Sequence, residues 1–183
     1  LKQIKWTVQY LTAPTALRYC KHCGVKTTFV SSGLFRVNAQ QKSLDIWLIF
    51  KCQHCDTTWN CTILSRANPG SLQKSLLQGF HTNDETLAMQ YATDAALLKR
   101  NGAAPGVPQL ALLGPDVGSE PPVCIELTAP WPAEYKAAAA IRQKLGLSRS
   151  QFDQLCESGR LTCLSGQNLK KCNLAGTFLL KLT

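Results

Sequence analysis

An α+β fold is predicted for this chain: a small β-rich segment, a short helical middle and a C-terminal helix-helix-hairpin module. Three observations predict it. Apolar and β-branched residues alternate through 26–65 and again after Gly159, which is the period of half-buried strands. Through 72–101 and 136–158 they recur every three to four positions instead, the period of amphipathic helices. Two Cys-x-x-Cys pairs, CKHC at 20–23 and CQHC at 52–55, punctuate the first alternating stretch.

The breaks RANPGS at 66–71 and NGAAPGVPQLALLGPDVGSEPP at 101–122 are rich in Gly and Pro. They predict segments at 1–66, 67–101, 102–121 (a linker or long loop) and 122–183. In the first segment KTTFVSS, LFRVNA, SLDIWLIFK and TTWNCTILS read as four short strands. In the second, a helix runs from Leu72 to Phe80. Another is capped by Asn83 or Asp84, carries Leu87, Tyr91, Ala95 and Leu98 on one face, and stops at Asn101-Gly102.

The last segment opens with VCIEL as a strand. KAAAAIRQKLGL follows as a helix with Ile141 and Leu145 on one side. In SRSQFDQLCESG, Ser148 is an N-cap, Phe152, Leu155 and Cys156 form an apolar stripe, and Gly159 is a natural stop. The tail is expected to form two or three strands around SGQN and AGT.

Cys20, Cys23, Cys52 and Cys55 carry the chemistry. A pair with this spacing bites a metal from a tight turn, and two such turns at the ends of adjacent hairpins gather four sulfurs. That pattern predicts a zinc ribbon over 1–66 with Zn2+ as its cofactor. Four thiolates close the coordination sphere, so the ion is expected to hold the fold and perform no reaction. Redox shuttling uses a single pair between a strand and a helix, whereas both pairs here sit among strands. His22 and His54 are adjacent to ligands and expected in solvent, Cys61 in a buried strand and His81 in a loop. Cys124, Cys156, Cys163 and Cys172 fall in apolar patterns as small hydrophobes.

No phosphate-binding loop, dinucleotide fingerprint, zincin helix or nucleophile elbow is present, and no enzymatic activity is expected. No apolar run is long enough to cross a bilayer, so no membrane contact is expected. LKQIKWTVQYLTAP lacks the continuous apolar stretch of a secretory signal, which predicts a cytoplasmic protein with reduced or metal-bound cysteines.

The net charge is +9 and is uneven. Residues 1–66 carry nine Lys/Arg against two Asp/Glu, and 129–183 carry eight against three. Basic ends around a neutral to acidic middle suit a polyanionic partner. Phe35, Arg36, Trp47, Lys51 and Trp59 interleave cationic and aromatic types compatible with stacking on unpaired bases, with at least one of the two tryptophans expected in the core.

The tail LGLSRSQFDQLCESGRLTCLSGQNLKKCNLAG resembles the RNA-binding module first seen in ribosomal protein S-four, over roughly 130–183. The resemblance nominates Lys136, Arg142, Ser148 and Arg149 as contacts to an RNA backbone, flanked by Arg160, Lys170 and Lys171. It implies structured RNA, ribosomal or transfer, as the partner, with DNA second. FRVNAQQKSLDIWLIFKCQHCDTTW, SRANP and the SRSQ tail make nearly the whole chain similar to a bacterial family, the domain of unknown function 1062. A protein-interaction adaptor without nucleic-acid binding is the alternative reading.

Overall fold

The structure is a computed structural model that describes residues 2–40, 42–118 and 122–183. In chain order the strands are β1 (Lys2–Tyr10), β2 (Thr15–Cys20), β3 (Val25–Gln40), β4 (Ser43–Cys52), β5 (Thr58–Ala67), β6 (Ala104–Pro105), β7 (Leu110–Leu113), β8 (Val123–Lys136), β9 (Leu161–Cys163) and β10 (Asn173–Leu182). The helices are α1 (Lys74–His81), α2 (Glu85–Ala92), α3 (Ala95–Arg100), α4 (Ala137–Leu145) and α5 (Arg149–Glu157). The chain forms two compact units, an insert unit of residues 13–106 and a terminal unit of residues 1–12 and 107–183.

The insert unit is an antiparallel sheet in the order β5-β4-β3-β2-β6. Alternation sends Ala16, Phe29, Leu48, Phe50 and Cys61 to one face, where Phe80, Ala88, Leu97 and Leu98 from the helices complete a buried core. The helix expected from residue 84 to 101 is two helices. Asp94 breaks it, because its carboxylate caps α3 by accepting from the Leu97 amide at 2.9 Å, as Asp84 caps α2 through Leu87 at 2.8 Å. Asn83 adopts a left-handed turn at φ 53, and its Oδ1 accepts from the Phe35 amide at 2.7 Å, tying the α1–α2 turn to β3.

The terminal unit is a second five-stranded sheet, ordered β7-β1-β8-β10-β9. β1 and β8 run parallel, with Ile4 opposite Ile125 and Trp6 opposite Leu127, and the other pairings are antiparallel. Trp6, Ile125, Leu127, Phe178 and Leu180 lie under Ile141 of α4 and Phe152 of α5. Burial of each such side chain stabilises the sheet by roughly 2 kcal/mol. The Trp6 indole N–H donates to the Pro115 carbonyl at 2.8 Å, so the buried ring leaves no polar atom unpaired. β7 approaches β1 so closely at Gly114 that a Cβ there would collide with the Lys5 carbonyl and the Trp6 ring.

This architecture corrects the predicted fold class. The molecule is β-rich with two five-stranded sheets, not a short zinc ribbon followed by a helix-helix-hairpin. The C-terminal residues form β10, which pairs with β8 along most of its length and with the short β9 on its other side. α4 and α5 cover that sheet instead of standing apart as a module. β1 and β7 were not anticipated because neither pairs with a sequence neighbour of its own period. β1 finds β8 in parallel, a pairing that needs a long crossover, and β7 hides in a stretch with linker composition. Of the expected linker, residues 119–121 lie outside the described residues. Among the described residues no helix is long and apolar enough to cross a membrane.

Candidate metal centre

β2 ends at Cys20, and the chain turns through Cys23 and Gly24 into β3. β4 ends at Cys52 and turns through Cys55 and Asp56 before β5. Each turn is closed by an amide reaching back to the first cysteine: Gly24 N–H donates to the Cys20 carbonyl at 2.9 Å and Asp56 N–H to the Cys52 carbonyl at 3.0 Å. β2 and β4 both flank β3, so the antiparallel ladder delivers the two turns to the same end of the sheet.

The four Sγ atoms lie within 4.8 Å of one another. Cys20 Sγ is 3.6 Å from Cys55 Sγ, and Cys23 Sγ is 3.8 Å from Cys52 Sγ. Four thiolates at the ~2.3 Å bond length of a tetrahedral metal–sulfur site have edges of about 3.8 Å. The two closest spacings therefore fit coordination to one ion and are far too long for S–S bonds, which measure about 2.05 Å. The donor set fits a metal.

Hydroxyls support the sulfurs. Thr27 Oγ1 is 3.3 Å from Cys52 Sγ and Thr57 Oγ1 is 3.1 Å from Cys55 Sγ. With the sulfur ionised the hydroxyl donates, so the Thr57 hydroxyl and then its amide hold the Cys55 thiol down at about 5. The Thr27 hydroxyl lowers Cys52. Cys23 is pushed up to about 12, first by its hydrogen bond to Cys55.

Arg18 completes the surroundings. Its guanidinium stacks 4.2 Å from the Trp59 ring centroid and 5.6 Å from Phe29. Burial lowers its pKa, opposed by attraction to Cys61 and Cys20. Sequence reasoning missed this residue, although its separation from Cys20 by one residue on a strand fixes it to the same face. Cys61 is buried, which raises its thiol to about 12. His22 and His54 are exposed and outside the sulfur cluster, and His81 is an exposed residue of α1. Cys156, Cys163 and Cys172 pack against the terminal core.

The seven residues nominated for RNA lie in the terminal unit in differing circumstances. Ser148 caps α5, accepting from the Gln151 amide at 3.2 Å in a reciprocal capping box. Lys170 bridges Asp153 at 3.0 Å and Glu157 at 3.2 Å. Arg160 Nε donates to the Thr183 carbonyl at 3.0 Å, and Arg142 is half-buried. Lys136 Nζ donates to the Lys171 carbonyl at 2.8 Å, bringing those two lysines together, and Arg149 and Lys171 are exposed. In the insert unit, strand alternation divides the five interleaved residues. Phe35 and Trp59, each 9% exposed, face the core, while Arg36, Trp47 and Lys51 occupy the opposite face.

A family described as "Protein of unknown function (DUF1062)" matches residues 37–167, a span that holds the second cysteine turn but not the first. No curated protein and no solved structure matches the chain.

Proposed function

The chain belongs to the DUF1062 family, and on that premise we propose that it is a non-enzymatic RNA-binding protein whose insert unit is pinned by a structural zinc. Cys20, Cys23, Cys52 and Cys55 would hold the ion. Four soft thiolates in a closed tetrahedron are the donor set of structural zinc, and the ion's contribution would be to fix the ends of β2 and β4 against β3.

The observation that carries RNA binding is uncompensated positive charge. The insert unit has ten Lys/Arg against five Asp/Glu. Among the described residues only Lys5, Lys51, Lys144 and Lys170 pair with a carboxylate. Cations not neutralised within the chain displace counterions from phosphate, which supplies affinity and a steep salt dependence. In the terminal unit the exposed Arg149 and Lys171 add further cations.

Elemental analysis is expected to find one zinc per chain, lost when Cys20 and Cys52 are both replaced by Ser. Filter binding to total RNA is expected to weaken between low and moderate salt by roughly 0.7–0.9 log unit of affinity per log unit of salt for each phosphate contacted. Iron in place of zinc would overturn the metal assignment. A flat salt response or no binding would move the reading to a protein-interaction adaptor.

A further inference from the structure

Resting on the RNA-binding reading above, we propose that the open face of the insert-unit sheet is the RNA site, and that it takes an unpaired stretch of about four nucleotides by base stacking. The face is the side of β2, β3, β4 and β5 opposite the helices. On an ordinary two-layer sheet this side alternates polar residues toward water. Here it carries aromatic and aliphatic side chains paired with cations. Tyr19 lies directly across from Lys26, Val30 from Lys51, and Arg36 from Trp47. Tyr19 is 57% exposed and neighbouring Leu17 38%, and the Arg36 guanidinium is 5.8 Å from the Trp47 ring.

The three pairs follow one another along β3. From Lys26 to Arg36 the strand covers roughly 25 Å, allowing ~3.4 Å per residue and the bulge after Ser31. Single-strand binding folds combine aromatic platforms with cations that track the phosphates, over about 4 nucleotides at the short end of their range. The charge suits that ligand. Of the insert unit's carboxylates, Asp45 stands on this face two residues from Trp47, its Oδ1 accepting from the Arg66 amide at 2.8 Å, and Asp56 lies 3.6 Å from Lys51. Both members of the Lys51–Asp56 pair are well exposed, so it offers little resistance to a phosphate. An acidic peptide would use the lysines but leave the aromatic rings without flat partners.

The test compares a labelled single-stranded RNA oligonucleotide with a blunt RNA duplex of equal length at low salt. The full chain is expected to prefer the single strand. Tyr19→Ala combined with Trp47→Ala should weaken that binding by about 5- to 150-fold per stacked base while metal content and melting temperature hold. Trp47→Phe, which keeps an aromatic platform, should retain binding but lose the quenching of tryptophan fluorescence that RNA causes. Undiminished binding in the alanine pair, with loss in Arg149→Glu combined with Lys171→Glu, would overturn the inference and leave RNA binding itself standing. Absence of any RNA binding by the unaltered chain would sink both. Formation of a dimer that needs Tyr19 and Trp47, without RNA binding, would assign the face to a second copy instead.

Discussion

Gly24 and Asp56 hold equivalent places in the two cysteine turns. Each follows the second cysteine, each is left-handed (φ 70 and 60), and each donates its amide to the carbonyl of the first cysteine. One turn uses the residue for which that conformation carries no Cβ penalty, the other one of the few side chains that tolerate it. Gly24→Val is therefore expected to cost about 2 kcal/mol or more. Asp56→Gly should stay within about 0.5 kcal/mol, because relief of strain offsets added chain entropy and the exposed Lys51 pair adds little. Denaturant midpoints of the metal-loaded variants check both.

Thr27→Val keeps the shape of a buried side chain and removes the hydroxyl beside Cys52. Loss of an outer partner typically costs a metal site 10- to 100-fold in affinity. Competition with a chromophoric chelator should read a decrease in that range. An unchanged affinity would show that Cys52 needs no donor.

Chelation of the metal is expected to open the insert unit, since ligand thiolates couple binding to folding. Hydrogen exchange should rise first across 15–20 and 50–60, the strand ends joined by the cysteines. Mild acid should act in the same direction, because protons compete with the ion for sulfur.

The Tyr10 hydroxyl donates to the Pro132 carbonyl at 2.9 Å, and burial, with a smaller contribution from Glu134, pushes its pKa up to about 12. The folded value lies above the unfolded one of about 10, so the folded state retains this proton longer. The associated stability is complete below pH 10 and is lost as pH rises toward 12. Absorbance titration should show a late tyrosinate step that Tyr10→Phe removes, and the variant's alkaline unfolding should shift to higher pH.

What could be read from the residues depended on how local the determining contacts are. Cys20 to Cys23 and Cys52 to Cys55 declare themselves because a chelating turn spans four residues. The splitting of residues 84–101 was missed, because the run of apolar positions Leu87, Tyr91, Ala95 and Leu98 outweighed the capping signal of Thr93-Asp94 before two alanines. That at least one of Trp47 and Trp59 is core was expected without saying which, and the structure puts Trp59 inside and Trp47 on the opposite face. The period of β1 was readable, but its pairing was not. Ile4, Trp6 and Val8 alternate, but their partner strand begins at Val123, and nothing local announces a parallel neighbour at that separation. β7, only LALL between Gly- and Pro-rich flanks, becomes a strand because β1 offers it an edge. A Gly114→Ala substitution should expose this dependence, costing about 2 kcal/mol or more through its collision with β1.

The placement of the insert unit between β1 and β7 sets an order of events during translation. Ribosomes add roughly 5–20 residues per second, so Ile4, Trp6 and Val8 leave the exit tunnel on the order of ten seconds before Ile125 and Leu127 exist to receive them. Residues 13–106 need no later sequence for their sheet and can mature in that interval. Meanwhile the nascent chain displays an unpaired, apolar strand, the kind of edge that chaperones cover and that neighbouring polypeptides capture. Yield in the cell should consequently respond to the pace of synthesis through codons 13–122 more than to any exchange on the finished surface.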